Sequence, residues 1–96
     1  MPAYVIADVE VSDPAKYEGY KALSPGAVAA AGGKFMARGG ETAVLEGDWK
    51  PARLVVIEFA DLAAARAFYD SALYVQARAA RAGATRRFNM VVVQGL

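Results

Sequence analysis

The chain has 96 residues, with 11 Lys and Arg against 10 Asp and Glu, so its net charge is +1. That length bounds it to a single domain, 1–96, with a modest core that association would enlarge. Near-neutral charge gives no electrostatic basis for a nucleic-acid partner or an anionic membrane surface. The absence of Cys excludes disulfides, thiolate metal sites and thiol nucleophiles. The absence of His removes the commonest metal ligand and the side chain titrating nearest neutrality, so no metal and no cofactor is expected. Acid–base chemistry is left to carboxylates, Tyr, Lys, Arg or water.

Ala3–Val11 alternates with period 2, as a strand does: Tyr4, Ile6, Asp8 and Glu10 on one face, small apolar residues on the other. The Val/Ala face suits a packed helix; a Tyr, an Ile and two acids make an odd solvent face. Ser12-Asp13-Pro14 is a helix start, a side-chain cap followed by Pro where its missing N–H costs nothing. The helix is expected from Pro14 to about Leu23, with Ser24-Pro25 breaking it before it resumes through Ala31. Gly32 closes it as a left-handed cap.

Lys34–Glu46 reads as one long strand, with Met36 and Arg38 sharing a face and Gly39-Gly40 forming a bulge or bend inside it. Gly47-Asp48-Trp49-Lys50-Pro51 is a turn by composition. Arg53–Phe59 returns as the second arm of the hairpin. Leu54-Val55-Val56-Ile57-Glu58-Phe59 is apolar on both faces until Glu58 interrupts, which suits a central, doubly covered strand.

Asp61 caps a helix from Leu62, whose apolar stripe is Leu62, Ala65, Phe68 or Tyr69, and Ala72. Ser71 caps a short continuation, Ala72–Arg81, and Gly83 ends it. Arg87–Gln94 is the last strand. The N-terminus lacks a basic segment followed by an apolar run and no segment is long enough to span a bilayer, so the expectation is a cytoplasmic protein with no membrane partner.

The order β-α-β-β-α-β predicts a ferredoxin-like α+β fold, a four-stranded antiparallel sheet with two helices on one face. The uncovered face carries Tyr4, Ile6, Met36, Leu54 and Val56, an apolar patch of the kind that marks an interface. A homodimer packed face to face into a barrel would cover it and leave a small enclosed space between the sheets for a small-molecule ligand.

Several segments form a series with a family likeness: Ser12-Asp13-Pro14 with Tyr17 and Tyr20, Gly32-Gly33-Lys34-Phe35, Ala37-Arg38-Gly39-Gly40, Leu45-Glu46-Gly47-Asp48-Trp49, Leu54–Phe59 and Ser71-Ala72-Leu73-Tyr74. The series resembles a bacterial domain-of-unknown-function family within the dimeric α/β-barrel superfamily. The resemblance implies a ferredoxin-like protomer and a homodimer, but no particular reaction. Neighbouring families include cofactor-free monooxygenases, lactone isomerases and haem enzymes, the last relying on an axial His that is absent here.

Asp8, Arg38 and Glu58 are expected on the uncovered face, with Glu58 near Tyr4 and near the Arg38-Gly39-Gly40 segment. A functional role would make Glu58 a general base and Arg38 the anchor for a carboxylate or enolate oxygen, as in a cofactor-independent isomerase, lyase or monooxygenase. A structural role would make them an ion pair at the barrel mouth. Tyr4, Asp8, Met36, Trp49 and Tyr69 are the candidate substrate-binding residues. Trp49 could close a pocket or pack across a dimer boundary, and Tyr69 and Tyr74 could line a pocket or simply pack the core. The alternative function is a non-catalytic metabolite-binding or structural dimer.

Overall fold

The computed structural model describes all 96 residues, Met1–Leu96. The elements are β1 (Ala3–Val11), α1 (Pro14–Ala30), β2 (Lys34–Arg38), β3 (Arg53–Phe59), α2 (Leu62–Asp70), α3 (Ala72–Ala80) and β4 (Thr85–Gln94). The strands form one antiparallel sheet in the order β2-β3-β1-β4, the ferredoxin-like arrangement, with the helices on one face.

Alternation along β1 decides what each face holds. Ala3, Val5, Ala7 and Val9 are 0–3% exposed beneath the helices. Opposite them in register stand Val55, Ile57 and Phe59 of β3 and Phe88, Met90 and Val92 of β4. Small residues on the central strand leave room for aromatics from above. Phe59 and Phe68 stack at 5.0 Å, and Phe68 and Tyr74 at 4.4 Å.

The caps work as the residue types require. Asp13 accepts from the amide of Lys16, Asp61 from that of Ala64, and Ser71 from that of Tyr74. Ser71 therefore separates two short helices, α2 and α3, rather than joining one. Beyond α1, Gly33 lies so close to Phe59 that a Cβ would come within 2.6 Å of the ring, and only glycine fits.

Two expectations about β2 and α1 are corrected, and the corrections are linked. Helix α1 does not break at Ser24-Pro25 but runs unbroken from Pro14 to Ala30. Pro25 has no N–H to give the carbonyl four residues back, that of Lys21. The Arg38 guanidinium gives it one instead, Nη2 donating to the Lys21 carbonyl at 3.1 Å. Arg38 reaches α1 because β2 carries a bulge: Phe35 pairs with Ile57 and Ala37 with Val56, leaving Met36 as the extra residue. One inserted residue turns every later side chain to the opposite face. The strand then ends at Arg38, not Glu46, since Gly39 takes φ 72° and residues 40–52 are irregular.

Candidate functional site

On the helix side, the inner face of α1 presents Tyr17, Tyr20 and Ser24, all 4–8% exposed. Tyr20 meets Tyr74 of α3 hydroxyl to hydroxyl at 2.7 Å, across 54 residues of sequence. From the sheet, Arg53 brings its guanidinium to 5.8 Å from the Tyr17 ring. Its Nε is buried without an acceptor in the protein, as are those of Arg78, Arg81 and Arg87. The three tyrosines, Ser24 and Arg53 wall an apolar-floored cavity of about 20 Å³ together with Phe35, Val55 and Phe88, room for roughly one water.

Burial pushes the Tyr17 hydroxyl above the usual tyrosine range, with Arg53 opposing. Burial and then the neighbouring Tyr74 hydroxyl push Tyr20 much further up. These tyrosines are therefore neutral hydrogen-bond donors at physiological pH. No carboxylate lines the cavity, so no strong base faces it.

The open face of the sheet holds a different cluster. Trp49, from the loop between β2 and β3, folds back and donates its indole N–H to Asp8 Oδ2 at 3.0 Å. Arg87 donates to Asp8 at 3.1 Å and to Glu10 at 3.2 Å, and Arg86 to Glu10 at 2.8 Å. The Trp49 hydrogen bond, then Arg87, holds the Asp8 carboxyl below its usual range against the cost of burial. A carboxylate with its lone pairs so engaged is a tether for the loop, not a base. Between the indole and the sheet lies a recess of about 240 Å³ lined by Ile6, Asp8, Trp49, Asn89 and Val91.

The expected site residues thus fall into separate places. Asp8 and Trp49 come together. Tyr4 and Glu58 stand directly opposite each other across β1 and β3, with Lys34 on the other side of Glu58. Arg38 does not join them: the bulge puts it on the helix side, on the Lys21 carbonyl and 4.8 Å from the Phe35 ring. Glu58 makes no ion pair, so the expected Glu58–Arg38 pair does not form. Met36 is half exposed at the bulge itself.

Tyr69 lies on neither cluster. It accepts from Arg78 at 2.9 Å and borders an open groove of about 530 Å³ between α2 and β4, on the helix side. Sequence reasoning missed Arg53. Its signal was weak: a lone Arg at the head of an apolar strand, directly opposite Val9, hence on the buried side.

The fold is that of the ferredoxin-like α+β proteins. Residues 2–96 match the family described as Domain of unknown function (DUF1330), and the chain belongs to that family. Among solved structures, a protein of unknown function from Rhodopseudomonas palustris is 20% identical, with a TM-score of 0.75 over 99% of this chain and 82% of that one. A dimeric ferredoxin-like protein of unknown function from Jannaschia sp. CCS1 is 14% identical, with a TM-score of 0.77 over 99% of this chain and 100% of that one. A cofactor-independent oxygenase from Streptomyces nogalater is 14% identical, with a TM-score of 0.65 over 99% of this chain and 93% of that one. No functionally curated protein matches the sequence. No helix is long and apolar enough to cross a membrane.

Proposed function

We propose that the protein is a homodimer that binds a small organic molecule between its helices and its sheet and acts on it without a cofactor. The observation that carries the binding site is the group of donors, the hydroxyls of Tyr17, Tyr20 and Tyr74 and the guanidinium of Arg53, around one internal cavity. Donors without a base suit an oxygen that is already negative, or becomes so by losing its own acidic proton. Enols and acidic phenols are that class, and the guanidinium of Arg53 would hold the resulting anion. Chemistry of this kind is in keeping with the cofactor-independent oxygenase among the structural neighbours. The cytoplasm is the compartment this reading assumes.

The dimer rests on the open face, where Tyr4, Ile6, Leu54 and Val56 are only partly buried and Val91 and Val93 are 61% and 49% exposed. Apolar surface of that extent needs a cover. The Jannaschia protein is described as dimeric. In such a dimer the recess beside Asp8 and Trp49 would be closed by the partner, and Glu58 would face the partner without Arg38 beside it.

One observation favours a second reading, a structural dimer whose interior is already filled. A cavity of about 20 Å³ admits a ligand only if side chains move, and Tyr20 and Tyr74 already satisfy each other. The test is a thermal-shift screen of acidic phenols and β-dicarbonyl compounds, with mass spectrometry of the incubated mixtures. Stabilisation of the wild type that Arg53→Met abolishes, with product formed, supports catalysis. Stabilisation without product supports the binding module, and no stabilisation by any compound overturns the site. Val91→Asp should weaken self-association at least about 100-fold in sedimentation, since a carboxylate would be buried unpaired. An unchanged sedimentation profile would remove the open face from the interface.

A further inference from the structure

The cavity between α1 and the sheet reaches the surface at one end. Of the residues that line it, Arg38 alone is exposed, and the two other cations of its wall, Lys21 and Arg53, are partly buried. The backbone brings the three together. Beyond the bulge of β2, Arg38 turns to α1 and donates to the Lys21 carbonyl at 3.1 Å. Arg53, at the start of β3, lies over Tyr17 of the same helix, its guanidinium carbon 5.8 Å from the ring centre. Tyr17 and Lys21 are one helical turn apart, roughly 6 Å along the axis. Gly39 keeps the two guanidiniums near each other. A Cβ there would collide with Arg53 Nη1, so only glycine lets Arg53 lie against the backbone that follows Arg38.

These charges are unanswered within the chain. Lys21 pairs with Glu18 at 3.2 Å, but neither Arg38 nor Arg53 has an ion pair. No carboxylate lines the cavity. Two guanidiniums at the rim of an apolar space, with no acid between them, favour an anion there. Further in, the Tyr20 ring lies 5.3 Å from that of Tyr17, and its hydroxyl meets that of Tyr74. A ligand reaching from the guanidiniums to those hydroxyls passes one ring, that of Tyr17, and is itself about one ring long.

We propose that the cavity takes a small carboxylic acid that also bears an acidic enol or phenol. Its carboxylate lies between Arg38 and Arg53 at the rim, and its hydroxyl oxygen points inward to Tyr20 and Tyr74. The inference rests on the binding site proposed above and names the class of ligand for it. A guanidinium has five N–H donors, so Arg38 keeps one on the Lys21 carbonyl and offers others to the carboxylate. Planar forks of this kind hold a carboxylate through paired, charge-assisted hydrogen bonds. The ligand thus supplies the acid that Glu58, paired across the sheet with Tyr4, does not.

The test uses a matched pair of probes, 4-hydroxy-3-nitrobenzoate and the corresponding benzamide, titrated calorimetrically into the intact protein. Both have an acidic phenol and nearly the same shape; only the first has the carboxylate. The acid should bind at least about tenfold more tightly than the amide. Arg38→Met should remove that preference by weakening the acid alone, and Arg38→Lys should restore part of it. Arg66→Met, which alters the separate groove between α2 and β4, should change neither affinity. Equal binding of acid and amide by the wild type overturns the carboxylate clamp and leaves the cavity as a site for acidic phenols; that comparison depends on no variant folding. A preference that survives Arg38→Met overturns the clamp as well. Loss of acid binding in Arg66→Met puts the anion in the groove, and the inference fails. If neither probe binds while other acidic phenols stabilise the protein, the clamp alone falls; if no compound binds, the site falls with it.

Discussion

The two faces of β1 are made by the same alternation and end in different states. Beneath the helices the strand offers Ala3, Val5, Ala7 and Val9, and aromatics from three helices and three strands pack around them. On the other face, Ile6 lies between Val56 and Val91, Tyr4 between Glu58 and Val93, and Asp8 is held by Trp49 and Arg87. The covered face is finished by residues of this chain; the open face is finished only where a tethered loop crosses it. The polar groups differ too. Under the helices, tyrosine hydroxyls and the Arg53 guanidinium face a cavity that no carboxylate lines. On the open face, Asp8 and Glu10 are engaged by Trp49, Arg86 and Arg87.

The contrast can be broken most severely from the covered side. Phe68 is 1% exposed and stacked between Phe59 and Tyr74, so Phe68→Ala should cost about 3–5 kcal/mol of unfolding free energy in urea titration. On the open side Asp8→Ala should cost about 2 kcal/mol, the worth of charge-assisted hydrogen bonds to Trp49 and Arg87. The freed indole should show a red-shifted emission.

The pH dependence of that tether has a definite sign. Folding lowers the Asp8 pKa from its ordinary value of 3.8, so its contribution is present above that value and is lost as pH falls through the folded pKa. Trp49 emission in the wild type should report the same release on acidification, and Asp8→Ala should show no such transition.

Smaller effects separate the roles expected for the charged pair. Arg38→Ala should cost about 1 kcal/mol through the Lys21 carbonyl it leaves without a protein donor. In a Pro25→Ala background the helix supplies its own amide to that carbonyl, and the cost of Arg38→Ala should fall by about half. Glu58→Gln, lacking any ion pair to lose, should change stability by less than about 0.5 kcal/mol in the same titration. If it costs several times that, Glu58 is engaged by a partner across the open face.

The element order and the helix starts were legible because they are local. Asp13, Asp61 and Ser71 cap where their residue types say they should, and the glycines at 32 and 83 take φ 75° and 76°. What was illegible depends on tertiary company. Pro25 reads as a breaker until a strand supplies the missing donor. The bulge at Met36 has no signature in KFMAR, while the Gly39-Gly40 pair beside it looks like a stronger candidate. Reading the strand straight through put Arg38 on the wrong face and invented its partnership with Glu58. The Tyr20–Tyr74 contact was illegible too, since nothing in the sequence brings hydroxyls 54 positions apart together.

The proline inside α1 also bears on the order of assembly. The carbonyl it orphans is served by Arg38, a residue downstream of the whole helix, so the middle of α1 is not complete until β2 has docked. A peptide of residues 13–31 should fray around Ser24, its two halves turning independently.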